Sequence, residues 1–491
     1  MSSAIVTLNE RLQRVLPKNA FARGVTILVG GTASAQILLV LAAPVLTRLY
    51  TPEDFGLLAV YASLLALVGV VSSLRYELAI PLPEDEVEAA NVAVLCLILV
   101  GLSTLLTGVL VWVLGSTVAE ALGVPALANY LWLLPVGMLL SGAYSVFNYW
   151  AVRTKRFTAI AGTKLRQALA TLAIQLAAFK LGGIALLFGQ VAGQGVGTTR
   201  LGRSALTSAG FRQVSWRGIM KAAGRYRRFP IFSTWAGLVN TAGHQLPPVL
   251  FAAFFSAGSA GLYALAHRVL TIPASLIGGA LSQVFLAHGA DAQREARFSQ
   301  MYVRLQDALL EIGMPPALLM IVLGPDLFSL VFGAAWKEAG SFSQWLVISV
   351  FFGFVVSPLS QIFIVLEKQK IGLILQLILF SVRLSGIMAG VLLKNLVLAI
   401  ALFSLASTFG YVLYLVVGAH YAGENCFQWI YSLIYSACIS FLLLTPVLLA
   451  KYLEIDWLLV YATLITLSLI MLRYHFLFKK VFKNEIQRRS Y

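Results

Sequence analysis

The sequence contains 491 residues, of which 59% are hydrophobic and only 11% are charged. This balance excludes an ordinary soluble domain. Repeated apolar runs of about 20 residues indicate a polytopic membrane protein, because each run spans about 30 Å of hydrocarbon. The net charge of +16 does not indicate a nucleic-acid partner, since the basic residues lie between apolar runs and not on a polar surface.

Fourteen apolar segments of helix length predict an all-α fold with about fourteen transmembrane helices. The segments are 25–46, 56–74, 89–114, 126–150, 158–179, 182–199, 230–254, 259–285, 305–331, 341–366, 371–393, 396–417, 430–450 and 457–475. In chain order they predict a cytoplasmic N-terminus (1–24), a six-helix lobe (25–199), a basic loop (200–229), a second six-helix lobe (230–417), two further helices (418–475) and a basic tail (476–491).

Basic residues are distributed unequally between the two sides of this arrangement. The loop 200–229 alone carries eight of them and no acidic residue. Of the 36 Lys and Arg residues, 27 fall on the side of this loop and 5 on the opposite side. Because loops near spanning helices keep Lys and Arg in the cytoplasm, both chain ends are predicted to be cytoplasmic.

The connection between the second and third segments departs from this pattern because it is acidic. Its carboxylates are Glu77, Glu84, Asp85, Glu86 and Glu88. Acidic residues contribute little to orientation, so the predicted topology stands. Glu77 and the neighbouring Arg75 are candidate residues for gating or for coupling to an ion.

A weak internal repeat relates the two predicted lobes. Gly56 and Gly261 open the second segment of each lobe, and each lies 33 residues after an arginine, Arg23 and Arg228. Two six-helix halves in parallel orientation are related by an axis along the membrane normal, and transporters of this kind place their substrate between the halves.

Motifs for catalysis or cofactor binding are not found. The sequence contains no P-loop and no metal-binding helix pair, and its three cysteines and five histidines are dispersed. We therefore expect a protein that is not an enzyme and that has no cofactor. The glycine-rich stretch 189–197 lies inside a membrane segment, where small residues let helices approach closely.

Ionisable residues inside membrane segments are the main candidates for function, because they cost several kcal/mol unless they face water or a partner. Arg268, beside His267, lies deep in the eighth segment, so an anion site and a buried structural pair are both open. Arg383 lies near the middle of the eleventh segment. Asp307 and Glu311, one turn apart on the ninth segment, could neutralise it, which leaves an ion pair and a substrate site equally open.

Three further cations have plausible structural roles. Lys164 and Arg166 lie close enough to the cytoplasmic end of the fifth segment to snorkel to the interface. Arg48 ends the first segment, where a cation interacts favourably with the helix dipole. All three would also add positive charge near a substrate. Between Glu120 and Asp291 the sequence contains 15 basic and no acidic residues, which favours an anionic substrate over an organic cation.

Four stretches of the sequence resemble the Wzx-type oligosaccharide flippases of the multidrug/oligosaccharidyl-lipid/polysaccharide exporter superfamily. They are Leu46–Gly56 (LTRLYTPEDFG), Arg75–Pro83 (RYELAIPLP), Gly261–Pro273 (GLYALAHRVLTIP) and the run from Leu323 (LGPDLF) that continues to Gly333, Trp336 and Gly340. The resemblance covers most of residues 20–417. It implies two six-helix lobes in a V-shaped, MATE-like arrangement around a cationic cavity, followed by two extra helices.

The resemblance also implies a function. Such proteins flip undecaprenyl-pyrophosphate-linked oligosaccharide repeat units across the bacterial inner membrane for O-antigen, capsule or exopolysaccharide synthesis. They alternate access with the help of a proton or sodium gradient or the membrane potential. The implied partners are this lipid-linked oligosaccharide, membrane lipids, a polysaccharide polymerase and a chain-length regulator.

The resemblance assigns roles to the residues singled out above. The pyrophosphate is expected at Arg268 and Arg48, with Arg383 and His267 as further candidates and with Lys164 and Arg166 extending the basic surface. Glu77, Asp307 and Glu311 are candidates for coupling to protons, but shared ion pairs explain these residues better.

Three other functions remain open on the sequence. A lipid II flippase shares the superfamily and the cationic cavity. A multidrug/cation antiporter should carry acidic residues in its membrane core, and the first lobe shows none there. A membrane glycosyltransferase or polymerase should have a large extramembrane loop with acidic motifs, whereas the longest internal loop here is basic.

Overall fold

A computed structural model describes residues 20–294, 297–425, 427–453 and 455–489. Most of the predicted N-terminal segment 1–24 and the last two residues of the predicted tail lie outside this range. The described residues are helical throughout, with turns and no β-strand, which confirms the predicted all-α class.

Fourteen helices in the described part of the chain are 20 residues or longer, and we number them in chain order. They are α1 (Ala20–Leu49), α2 (Pro52–Val71), α3 (Glu86–Ala121), α4 (Leu133–Arg153), α5 (Phe157–Ala177), α6 (Gly183–Leu206), α7 (Thr234–Phe254), α8 (Ala257–Arg294), α9 (Phe298–Phe332), α10 (Lys337–Leu359), α11 (Gln369–Leu392), α12 (Leu396–Ala422), α13 (Gln428–Tyr452) and α14 (Asp456–Arg489). Each overlaps one predicted segment. A ten-residue helix, Trp216–Arg225, lies between α6 and α7, and we call it the linker helix.

Ten helices in the described residues are long and apolar enough to cross a membrane, so the chain is a multi-pass membrane protein. Helices α4 to α7 are not among these ten. Gly, Ser, Thr, Gln and basic residues take the place of many aliphatic side chains in these four helices. The count of fourteen spans therefore stays a prediction.

Several helices differ in length from the predicted segments. α3, α8 and α9 extend well beyond the apolar runs, to 36, 38 and 35 residues, because polar residues continue a helix after the hydropathy has fallen. The predicted segment 341–366 is interrupted. α10 ends at Leu359, one residue after Pro358, and a separate short helix covers Ile362–Val365.

The chain forms two compact units. The first contains residues 1–265 and 331–336, that is, α1 to α7 and the start of α8. The second contains residues 266–330 and 337–491. This division differs from the predicted lobes, which separate within 200–229. α7 stays with the first unit because it packs along α2.

Within the first unit, glycines of α6 face polar residues of α5, as the glycine-rich stretch predicted. A Cβ atom on Gly189 would lie 2.8 Å from the carbonyl oxygen of Thr171. A Cβ atom on Gly193 would lie 2.1 Å from the hydroxyl of the same threonine. The side chain of Gln175 on α5 in turn donates to the carbonyl of Leu186 on α6 at 3.2 Å. Small residues thus let the two helices pack closely.

The two glycines of the predicted repeat meet where α2 and α8 begin. A Cβ atom on Gly56 would lie 1.8 Å from the carbonyl oxygen of Ala257, and a Cβ atom on Gly261 would lie 1.9 Å from that of Pro52. Each glycine therefore packs against the residue four positions before the other. The two glycines thus make equivalent contacts, each with the helix that carries the other.

The same end of the first unit holds the turn at 331–336. The indole Nε1 of Trp336 donates to the carbonyl of Thr47 at the end of α1, at 2.9 Å. Its ring packs edge-on against Phe55 with 4.9 Å between centroids. Trp336 is 1% exposed, so these contacts form a closed cluster.

The second unit has its own apolar core. Residues of α9, α10 and α12 form most of it, and α11 packs along α12 as α5 packs along α6 in the first unit. A smaller cluster joins α9 to α13 and α14 around Leu323, Leu444 and Ala462.

Candidate functional site

Arg383 of α11 is buried within the second unit, with 8% of its surface exposed. Its Nε donates to the Ser407 hydroxyl at 3.1 Å, and its NH2 donates to the Tyr411 hydroxyl at 2.6 Å. The guanidinium also lies over the Tyr411 ring, 5.2 Å from its centroid. Neutral groups of α12 therefore solvate this charge. Such close packing points to a structural role.

The acidic residues proposed to neutralise Arg383 are placed elsewhere, so that pairing is corrected. Glu311 forms an ion pair with Arg473 of α14, with 3.7 Å between Oε2 and NH2. One carboxylate oxygen of Asp307 is buried and has no hydrogen-bond partner among the described residues. A role of Asp307 and Glu311 in ion coupling stays a prediction.

Arg268 lies on α8 within the second unit and is half-buried. No described residue forms a hydrogen bond or an ion pair with it. The adjacent His267 accepts a hydrogen bond from the Thr271 hydroxyl through its backbone carbonyl at 2.7 Å. Because a half-buried cation is costly without a partner, Arg268 is suited to bind an anionic ligand.

The remaining predicted cations lie in the first unit and are spread over different helices. Arg48 is exposed and donates to the carbonyl of Pro44, one turn back on α1, at 3.0 Å, which is the expected position of a cation at a helix C-terminus. Lys164 of α5 lies over the ring of Tyr144 on α4, with Nζ 4.9 Å from the centroid. Arg166 is exposed.

A cavity of about 240 Å³ with a mixed polar and apolar lining lies within the first unit between α2, α4 and α6. Its polar lining residues are Ser72, Ser141, Ser145, Gln190 and Gln194. Ala and Gly residues make up most of the rest of the wall, and no charged side chain lines it. The hydroxyl and amide groups in this wall can exchange hydrogen bonds with a neutral polar ligand.

This cavity was missed in the sequence because its residues carry no charge. A signal was nevertheless present. Ser141 and Ser145 on α4, and Gln190 and Gln194 on α6, are each four residues apart, which places each pair on one helix face. Paired neutral polar residues in adjacent membrane helices are the pattern that could have located it.

Ser72, at the edge of the cavity, precedes a strained turn. Leu74 and Arg75 have φ angles of 49° and 62°, in the left-handed region that non-glycine residues seldom adopt. Glu77, which is 4% exposed, accepts a hydrogen bond from Ser73 and lies 3.6 Å from the NH1 of Arg75. The predicted gating pair is thus a contact in the structure, whereas its role in gating remains untested.

The acidic connection between α2 and α3 contacts the linker helix and the residues that flank it. Glu88 accepts two hydrogen bonds from Arg225, at 2.7 and 2.9 Å, and one from the Tyr226 hydroxyl at 3.1 Å. Burial, together with Glu88, raises the pKa of Tyr226 above its usual value, so its hydroxyl remains a donor at neutral pH. The backbone N–H of Ser215 also donates to the Asn91 side chain at 3.1 Å.

The fold is similar to the folds of several solved membrane transporters. The lipid II flippase MurJ in an inward closed conformation has a TM-score of 0.72 and 13% sequence identity, over 94% of this chain and 99% of that chain. An inward-facing multidrug resistance MATE transporter of the MOP superfamily has a TM-score of 0.59 and 14% identity, over 81% and 94%. A mutant of the Vibrio cholerae MATE transporter VcmN has a TM-score of 0.54 and 14% identity, over 83% and 98%.

In sequence, no curated protein is significantly similar to this chain. A family model described as polysaccharide biosynthesis protein matches residues 45–341, which is more than half of the chain. That family and this fold agree with the resemblance to the oligosaccharide flippases, which is thereby confirmed. The chain is a multi-pass membrane protein that belongs to the polysaccharide biosynthesis protein family.

Proposed function

We propose that the protein flips undecaprenyl-pyrophosphate-linked oligosaccharide repeat units across the bacterial inner membrane, by alternating access, for surface polysaccharide synthesis. The observation that carries this proposal is the uncharged cavity between α2, α4 and α6, whose wall includes serine and glutamine side chains. A sugar cannot cross hydrocarbon unaided, because its hydroxyls would lose their hydrogen bonds to water. Serine and glutamine side chains can replace those bonds without requiring a charge on the sugar.

The pyrophosphate of the same substrate requires cations. Arg268 is suited to this role, because it is half-buried and no described residue neutralises it. Arginine binds phosphate oxygens through paired N–H donors, so one guanidinium can hold the group firmly. We therefore assign the pyrophosphate to Arg268, and a role of Arg48 in substrate binding stays a prediction. Arg383 is a weaker candidate, because two of its donors already bond to Ser407 and Tyr411.

Lipid II and a cationic drug are the two alternative substrates. Lipid II also carries amino sugars on a polyprenyl pyrophosphate, and the MurJ structure is similar over nearly the whole chain. A cationic drug fits less well, because no carboxylate lines the cavity. The family description favours the polysaccharide precursor. Coupling to an ion gradient, with Arg75 and Glu77 as the responding pair, belongs to the same proposal.

The proposal can be tested by complementation. Bacteria that lack their own repeat-unit flippase, but keep a matched sugar pathway, would express the wild type or Arg268→Ala at equal membrane abundance. We expect the wild type to restore surface polysaccharide and the variant to reduce it about tenfold to a hundredfold, because hydrogen bonds to a charged group are lost. Lys180→Ala removes an exposed cation from a turn in the first unit and serves as the control.

The outcomes separate the candidate functions. If the wild type fails with several matched sugar pathways and instead restores growth without a lipid II flippase, the substrate is lipid II. If it confers only drug resistance, the protein is an exporter. If Arg268→Ala works as well as the wild type, flipping stands and the assignment of the pyrophosphate is wrong.

A further inference from the structure

The linker helix, Trp216–Arg225, is strongly amphipathic and has one face fixed to the first unit. Ser215 caps it by accepting a hydrogen bond from the N–H of Gly218 at 3.1 Å. Ile219 and Ala222 are buried against the first unit, and the helix packs along α3. The inner face of the linker helix is therefore packed against the first unit, and the N-terminus of the helix is capped.

The outer face of the linker helix carries an apolar stripe and, beside it, a basic stripe. Trp216 and Met220, one turn apart, are 67% and 55% exposed. Arg217 and Lys221 lie one position further along the helix and are also exposed. Neither of these two pairs with an acidic side chain in the described part of the chain, whereas Arg225 is engaged by Glu88. An exposed tryptophan next to free cations is typical of a helix that lies at a membrane interface.

The segment that follows the linker helix also exposes large apolar side chains. Only a few residues separate the end of the linker helix from α7. Ile231 and Phe232, just before α7, are 53% and 68% exposed, and Trp235 in the first turn of α7 is 67% exposed, as expected of side chains that contact lipid. Arg227 and Arg228 lie between the two and are exposed.

We propose that the linker helix docks on anionic phospholipid headgroups of the leaflet on its side of the membrane, with Trp216 and Met220 entering the interface and Arg217 and Lys221 binding phosphate groups. The uniform positive charge selects an anionic surface, since the segment from Arg200 to Arg228 contains eight basic residues and no acidic one. Through its bond to Glu88, the docked helix holds the start of α3.

The test uses the full chain in nanodiscs of phosphatidylcholine, with or without phosphatidylglycerol. A polarity-sensitive fluorophore is attached at Met220→Cys after Cys426 and Cys438 are replaced by serine, while buried Cys96 is kept. Acrylamide, an uncharged quencher in the aqueous phase, then reports how accessible the probe is from the water. We expect the probe to be shielded with phosphatidylglycerol, and exposed without it or at high salt, because salt screens the attraction.

Arg217→Gln with Lys221→Gln should lower the ratio of shielded to exposed probe about thirtyfold, because each basic residue near an anionic surface contributes about fivefold. Lys180→Gln with Lys394→Gln removes the same charge elsewhere on the surface and should leave the ratio unchanged. Equal shielding in both kinds of nanodisc, an equal effect of the control pair, or shielding only after a cytosolic protein is added would overturn the proposal.

Discussion

Arg383 illustrates how a membrane helix can carry a charge without an acidic partner. Its donors bond to Ser407 and Tyr411, and its plane lies over aromatic rings. Arg383→Ala would leave a void and remove the hydrogen-bond partner of the Tyr411 hydroxyl, so we expect a loss of about 2–4 kcal/mol of stability. The melting temperature in detergent should fall clearly, and Tyr411→Phe should lower it by less.

Arg268 provides the contrast to Arg383. Arg268→Ala should leave the melting temperature close to that of the wild type, because no described residue bonds to this side chain. If Arg268→Ala destabilises the protein as much as Arg383→Ala, Arg268 is structural and its assignment to the substrate fails.

The glutamines of the cavity allow the proposed sugar contacts to be tested without a change of volume. Gln190→Leu with Gln194→Leu keeps the side chains nearly the same size but removes their hydrogen-bonding groups. We expect about thirtyfold slower transport, which corresponds to about 2 kcal/mol for two lost hydrogen bonds. Surface polysaccharide in the complementation strain is the measurement. Gln213→Leu, an exposed change outside the cavity, is the control, and unchanged transport by the double variant would exclude these sugar contacts.

At the scale of elements, the crossing of α2 and α8 depends on glycine. Gly261→Ala would place a Cβ atom 1.9 Å from the backbone of Pro52, which no side-chain rotation can relieve. We expect destabilisation of about 1–3 kcal/mol, seen as a lower melting temperature and lower membrane abundance. Gly258→Ala, near the same crossing, meets only the carboxylate of Glu53, at 2.9 Å, and that side chain can rotate away. If the two variants have equal melting temperatures and equal abundance, α2 and α8 are not closely packed at Gly261.

The sequence predicted those elements whose signal is local. Long apolar runs located the helices, and the glycine spacing of α6 predicted its close packing on α5. The bond between Glu88 and Arg225 was not predictable in the same way, because the two residues are 137 positions apart and each occurs in a plausible solvent-exposed loop. The partner of Glu311 was misjudged for a related reason, since helix spacing cannot show that α14 packs beside α9.

At the scale of the whole molecule, the distribution of charge predicts that both termini and the linker segment are cytoplasmic. Gln213→Cys and Lys180→Cys, introduced separately, place a reactive thiol on each predicted side, both at exposed positions. A maleimide that cannot cross the membrane should label Lys180→Cys in intact cells, and Gln213→Cys only after the membrane is opened. The reverse pattern of labelling would invert the topology and the proposed direction of transport.

Transbilayer movement of the substrate tests the central claim most directly. The purified protein would be reconstituted in liposomes that contain a polyprenyl-pyrophosphate-linked oligosaccharide with a fluorescent sugar, and a reductant that cannot cross the membrane would report how fast the label changes leaflet. The account predicts faster movement with the wild type than with Arg268→Ala or with protein-free liposomes. Movement of a cationic dye in exchange for protons, while the lipid-linked sugar stays in its leaflet, would contradict it.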